Sequence, residues 1–226
     1  MPESTRTDLS RARGQLLAEL SREVMDERVL DALRRVPRER FVPDDLRSMA
    51  YDNLPLPIGY GQTISQPSMV AIMTQALQLG ASDTVLEIGT GSGYQAALLS
   101  LLAQRVVTTE RVPPLADEAK ARLAEPRYSN VEVHVSEDSI GWVEGAPYDA
   151  IAVTAGAPEV PMELIEQLAD GGRLVIPVGS RALQELVRIT KTPEGAIRNN
   201  LGGCRFVPLL GESAWPDQPS KGGEPA

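Results

Sequence analysis

Alternating glycines in Gly89-Thr90-Gly91-Ser92-Gly93 stand between two carboxylates, Glu87 just ahead of them and Glu110 at the end of the next hydrophobic run. Residues of these types at this spacing can hold an adenine nucleoside. The aliphatic run at 85–88 reads as a strand, the glycines as the turn off it, and 95–103 as a helix, which together open a nucleotide-binding α/β unit. Gly89 would permit the tight turn, while Gly91 and Gly93 would let the backbone approach a ligand where any Cβ would clash. Glu110, about 20 residues after the first glycine, is placed to accept hydrogen bonds from both ribose hydroxyls. A dinucleotide fingerprint wants a glycine where this chain has Tyr94. The carboxylate of Glu87 suits a ligand carrying cationic groups better than one carrying a pyrophosphate. S-adenosylmethionine, with its sulfonium and ammonium, fits both requirements. The bland alternative is an ordinary glycine-rich βα turn, and Glu110 weighs against it.

Those residues need a scaffold, and the rest of the chain supplies one. Strands are expected at 84–88, 105–110, 131–136, 148–154 and 172–177, with helices near 94–103, 114–124 and 161–168. That alternation predicts a parallel sheet with right-handed crossovers and helices on both faces. Ahead of it, 8–22 and 26–36 read as amphipathic helices, the second with Asp26 as N-cap and Pro37 as its stop. The segment 49–61 is too rich in proline and glycine for a helix. It leads into a helix over 66–79, with Pro67 in the first turn and Ser65 as the expected N-cap. The β-like runs 185–190 and 204–209 have no clear helix between them and are expected to pair antiparallel at the sheet edge. Residues 212–226 are expected to form a disordered tail.

Composition narrows the classes. The 226 residues are 42% hydrophobic, enough for one α/β domain with a full core. A charged N-terminus and the lack of any 18-residue apolar run predict a cytoplasmic protein with no membrane partner. A single cysteine, Cys204, and a single histidine, His134, argue against a disulfide framework and against a metal enzyme. The net charge of −9 argues against nucleic acid as a partner.

Several segments also carry a family likeness. Gly61-Gln62-Thr63-Ile64-Ser65-Gln66-Pro67, Leu86-Glu87-Ile88-Gly89-Thr90-Gly91-Ser92-Gly93-Tyr94, Tyr148-Asp149-Ala150-Ile151 with Thr154-Ala155, and Gly171-Gly172-Arg173-Leu174 with Pro177-Val178-Gly179 resemble the protein-L-isoaspartate O-methyltransferases. Val36-Pro37-Arg38-Glu39-Arg40-Phe41-Val42 and Arg205-Phe206-Val207-Pro208-Leu209 match as well. The resemblance covers 14–211. Its glycine loop is common to many methyltransferases, whereas Gln62-Thr63-Ile64-Ser65-Gln66-Pro67 is specific to this family.

The resemblance implies a Rossmann-like class I methyltransferase: a doubly wound, mostly parallel sheet with antiparallel edge strands and an N-terminal helical extension. It implies a single domain over 1–211, with 1–64 on the substrate side and 65–211 as the cofactor-binding core. The implied activity is S-adenosylmethionine-dependent methyl esterification of the α-carboxyl of L-isoaspartyl residues in damaged proteins and peptides, leaving S-adenosylhomocysteine. The ester then closes to a succinimide that reopens partly to aspartate. A monomer is expected.

In site terms the resemblance implies Ser65 at the active site, Glu110 on the ribose, and the acid of a Gly-Asp-Gly motif at the adenine. This chain has Ser136-Glu137-Asp138 there, so Glu137 falls on the acid position while both glycines are missing. That is either a tolerated exchange of carboxylates or a reshaped adenine edge. The expected cofactor set is Ile64, Glu87, Gly89, Thr90, Gly91, Ser92, Gly93, Glu110, Arg111, Glu137, Asp138 and Thr154. The expected acceptor set is Thr63, Ser65, Gln66, Arg205 and Val207, the last two offering edge-strand backbone groups to an extended peptide. Arg38, Arg40 and Arg205 are the cations available to an anionic acceptor. Asp149 stands either beside the ligand crevice or in turn chemistry, and His134 reads as a packed or surface residue. Ser68 replaces an aromatic residue common after the proline, which would widen the peptide groove.

Two other readings keep part of this picture: methylation of aspartyl carboxylates in a dedicated peptide, and non-catalytic S-adenosylmethionine binding. An NAD-dependent oxidoreductase is disfavoured by Tyr94 and by the lack of an acid–base pair for hydride transfer.

Overall fold

The computed structural model describes residues 3–216 except Asp138, with side chains described from Asp8 onward. Its centre is a sheet of strands β3 (Thr84–Ile88), β4 (Arg105–Glu110), β5 (Val131–Val135), β6 (Tyr148–Val153), β7 (Leu168–Gly179), β8 (Gln184–Thr192) and β9 (Gly195–Cys204), ordered β5-β4-β3-β6-β7-β8-β9. The first five strands are parallel, and β8 and β9 add antiparallel. Strand order reverses between β3 and β6, so a crevice opens outside their carboxyl ends.

The helices that cover the sheet are short. They are α3 (Pro67–Ala76), α4 (Tyr94–Leu99), α5 (Pro113–Leu123) and α6 (Met162–Glu166), preceded by α1 (Glu3–Leu20) and α2 (Glu27–Arg35). In α2 the Asp26 side chain accepts from Arg28 N–H at 3.0 Å, and Val29, Leu30 and Leu33 face inward. Leu16, Leu20, Leu30, Leu33 and Phe41 share one apolar cluster with Tyr94 and Leu98 of α4. The N-terminal helices therefore pack directly behind the glycine turn.

Several expectations are corrected. Residues 49–61 do not merely connect: 56–64 form a hairpin of β1 (Leu56–Gly59) and β2 (Gln62–Ile64). At its tip Gly59, Tyr60 and Gly61 all have positive φ (90°, 53° and 71°). For the non-glycine Tyr60 that conformation costs about 1–2 kcal/mol. Ser65 does not cap α3; Gln66 holds the cap position, and Asn53 Oδ1 accepts the Ser68 N–H at 3.0 Å instead. The expected helix at 161–168 ends at Glu166 because β7 begins at Leu168, earlier than expected.

The edge pair also differs. The partner of β8 is β9, turned by 193–194, not the run at 204–209. β9 is polar and almost fully exposed, so the search for hydrophobic runs passed over it. Finally, 212–216 fold back on the body. Trp215 N–H donates to Leu209 O at 2.9 Å, and Arg181 lies over the Trp215 ring at 5.0 Å. Residues 217–226 lie outside the described residues.

Candidate active site

A cleft of about 480 Å³ lies at the carboxyl ends of β3, β4 and β6. Its floor is the glycine turn. Gly89 and Thr90 donate their N–H groups to Thr109 O at 2.9 and 3.0 Å, which fastens the turn to β4. Gly89 has φ of 96°, and a Cβ there would stand 2.3 Å from Thr154 Oγ1. That hydroxyl donates to Gly89 O at 2.7 Å, so strand β6 locks the turn from the other side.

Glu110 ends β4 with its carboxylate fixed. Oε2 accepts from Gly91 N–H at 2.7 Å and Oε1 from Val112 N–H at 2.9 Å. Each oxygen keeps a lone pair, the capacity a vicinal diol would require.

Glu87 is fully buried. Its Oε2 accepts from Thr108 Oγ1–H at 2.5 Å, while Oε1 has no hydrogen-bond partner among the described residues. With the Thr108 proton so engaged, Thr90 is the donor in the 2.6 Å contact between their hydroxyls. Burial, opposed by the Thr108 hydrogen bond and reinforced by nearby Glu110, pushes the Glu87 carboxyl up to about 8. A buried, unpaired carboxylate oxygen on the wall of a cleft is a receptor for a cation. Together with the diol-ready Glu110 and the glycine floor, these residues fit S-adenosylmethionine.

Of the expected cofactor residues, Ile64, Glu87, Gly89, Thr90, Gly91, Ser92, Glu110, Arg111, Glu137 and Thr154 line the cleft. Gly93 does not. Its φ of 87° starts α4, and a Cβ there would meet Leu123 at 3.2 Å, so its smallness serves the packing of α5. Arg111 Nη1 donates to Glu137 O at 3.3 Å. Asp138 lies outside the described residues.

The opposite wall comes from the hairpin and from the chain after β9. Thr63, Ser65 and Val207 line it, but Gln66 and Arg205 do not. Residues 205–209 are not an edge strand. Val207 O and Leu209 N–H are taken by Gly156 N–H and O at 2.7 and 2.8 Å, which seats this segment beside Thr154. Arg205 is exposed away from the cleft.

The other cations proposed for the acceptor are also elsewhere. Arg38 is buried, with Nε donating to Ala50 O at 2.9 Å and its guanidinium 5.1 Å from the Tyr94 ring centre; burial lowers its pKa to about 10. Arg40 pairs with Glu125. Among the described residues Arg111 is the one cationic side chain on the cleft lining. Asp149 sits at the amino end of β6 and accepts Thr84 N–H at 2.8 Å, far from the crevice. His134 stacks on Trp142 with ring centres 4.1 Å apart and lines no part of the cleft.

Sequence reading missed Tyr60, Gln62, Gln95, Ile140 and 208–210 as lining residues. Tyr60 carried a signal, an aromatic residue between two glycines, and Gln62, Pro208 and Leu209 stand in the segments that carry the family likeness.

Comparison with known proteins agrees with this geometry. The sequence profile described as "Protein-L-isoaspartate(D-aspartate) O-methyltransferase (PCMT)" matches residues 11–214. A protein-L-isoaspartate O-methyltransferase of Geobacter metallireducens is 54% identical over 209 residues, covering 92% of this chain and 97% of the relative. One from Methanoculleus marisnigri is 54% identical over 196 residues, covering 86% and 89%. Among solved structures, a protein-L-isoaspartate O-methyltransferase superposes with a TM-score of 0.81 at 29% identity, over 89% of this chain and 67% of that one. A Plasmodium falciparum beta-aspartate methyltransferase in complex with S-adenosyl-L-homocysteine superposes with a TM-score of 0.73 at 25% identity, over 85% and 95%.

Proposed function

The chain belongs to the protein-L-isoaspartate(D-aspartate) O-methyltransferase family, and from that premise we propose how its cleft divides the work. The enzyme esterifies the α-carboxyl of L-isoaspartyl residues in proteins and peptides, with S-adenosylmethionine as methyl donor. When bound, that cofactor supplies an electrophilic methyl group on a sulfonium and leaves as S-adenosylhomocysteine. The observation that carries our assignment is the pairing of Glu110, with both oxygens pre-set by backbone N–H groups, and Glu87, with one buried oxygen unpaired. Glu110 holds the ribose hydroxyls, Glu87 faces the cationic end, and the 89–92 backbone fixes what lies between. Arg111 and Glu137 bound the adenine edge.

The acceptor needs no general base, because a carboxyl of pKa about 4 is already ionised at neutral pH. What the chain must supply is orientation in a water-poor cleft. Ser65, on the lining and without a hydrogen-bond partner among the described residues, donates to the acceptor carboxylate and aims one oxygen at the methyl group. Thr63 and Val207 flank the bound chain. The dedicated-peptide and non-catalytic readings are not favoured by relatives of 54% identity over most of both chains. We further place the enzyme in the cytoplasm as a monomer that binds no nucleic acid, which sedimentation and retention on a nucleic-acid column would test. Among the described residues no helix is long and apolar enough to cross a membrane.

Ser65→Ala separates these roles. Turnover should fall roughly 10–100-fold with the cofactor Kd unchanged, as expected for a lost orienting hydrogen bond. An equal loss of cofactor affinity would make Ser65 a structural residue of the loop.

A further inference from the structure

Tyr60 is out of place by every local rule. The tip of a tight hairpin with positive φ is ordinarily filled by Gly, Asn or Asp, yet an aromatic residue with φ of 53° stands there between two glycines. It gains no core packing in return, being 57% exposed. Among the described residues its hydroxyl has no hydrogen-bond partner and its ring no aromatic or cationic neighbour. Yet this ring lines the active-site cleft, as do Ser65, Pro208 and Leu210. Strain held at a binding site without a folding benefit points to use in recognition.

We propose that Tyr60 is a specificity-determining residue, whose ring packs on the acceptor side chain adjacent to the isoaspartyl residue and favours an apolar or aromatic neighbour over an acidic one. This rests on the methyltransferase reading and deepens it. The lining that Tyr60 shares includes an apolar run, Pro208, Leu209 and Leu210. The charges inside the cleft work against an acidic neighbour: Glu110 and Glu137 line it against Arg111, in a chain of net charge −9. A flat ring and apolar walls would hold a leucine or phenylalanine side chain by area and shape.

The test uses the full-length enzyme and two short isoaspartyl peptides that differ only in the adjacent residue, leucine in one and glutamate in the other. Wild type should prefer the leucine peptide in kcat/KM. Tyr60→Asn, whose side chain suits positive φ, should melt at or above the wild-type temperature and bind S-adenosylmethionine with unchanged Kd. Its kcat/KM on the leucine peptide should nevertheless drop about tenfold, with little change on the glutamate peptide, so that the preference collapses. Tyr60→Phe should keep the preference, because the ring and not the hydroxyl carries it. Retained preference in Tyr60→Asn, or an equal loss on both peptides, would overturn the proposal while leaving the methyltransferase reading intact. A wild-type enzyme that methylates neither peptide would overturn that reading, and this proposal with it.

Discussion

Replacing Glu87 by Gln should change how stability responds to pH. The folded carboxyl sits at about 8, raised chiefly by burial, against an ordinary value of 4.5 in the unfolded chain. Between those values the folded protein holds a proton that the unfolded chain has released. Stability must therefore fall as pH rises through this window and level off above it. Each pH unit costs about 1.4 kcal/mol, so roughly 3 kcal/mol is lost between about pH 5 and about pH 7. For a chain of this size that is about 6–12 °C in Tm. Gln keeps the shape and an acceptor for Thr108 but cannot ionise, so this part of the slope disappears. The assay is calorimetric melting of both proteins without cofactor, from about pH 5 to about pH 8.5. The difference in Tm, variant minus wild type, should grow steadily across the window. Glu110 is present in both proteins and cancels in that difference. Parallel curves would refute the buried-carboxylate argument. The same proton links to binding: a cationic ligand favours the ionised form, so wild-type cofactor affinity should rise toward pH 8, up to about tenfold per unit. In Glu87→Gln it should be weaker and nearly flat.

Other perturbations follow from the same geometry. Thr108→Val removes the hydrogen bond that lowers the Glu87 pKa, so the midpoint of the pH-dependent melting should move upward; an unmoved midpoint would deny that bond its role. Glu110→Ala leaves the Gly91 and Val112 N–H groups without their acceptor and should raise the cofactor Kd at least 100-fold, about 3 kcal/mol for two charge-assisted bonds, as read by calorimetric titration. Gly89→Ala would set a methyl 2.3 Å from Thr154 Oγ1 and should abolish cofactor binding with a Tm loss that Thr154→Ala partly restores; a fully binding variant would contradict the packing. Arg173→Ala, which breaks a mostly buried 2.7 Å pair with Asp83 and bonds to Leu77 O and Gln78 O at the far end of the sheet, should cost about 3 kcal/mol of stability while specific activity of the folded fraction stays at the wild-type value.

The parts of this fold that could be read from residues are those where periodicity and burial coincide. Val85, Leu86 and Ile88 are buried aliphatics ended by a glycine with φ of 96°, and that junction is what the pattern implies. β9 escaped because Arg198, Asn199 and Asn200 are solvated on a sheet edge, where no hydrophobic period is required. The hairpin at 56–64 escaped because prolines and glycines signal a break without saying that the two sides pair.

The site was legible to the same degree. Glu87 is adjacent to the turn in sequence and Glu110 ends the very next strand, so spacing alone could place them. The acceptor wall depends on 207–210 crossing back to Gly156, a long-range contact that no local pattern encodes. Arg205 and Gln66 lie one or two residues from lining positions, and strand or turn phase decides which side chain enters. Ser65 could be read as a cap because it precedes Pro67, but the cap came from Asn53, distant in sequence.

The most direct test of the central claim is methyl transfer from labelled S-adenosylmethionine to a short isoaspartyl peptide beside its normal aspartyl twin. Incorporation into the isoaspartyl peptide alone, as a base-labile ester, is the predicted result. Labelling of the aspartyl twin, or of neither peptide by an enzyme that still binds the cofactor, would contradict it.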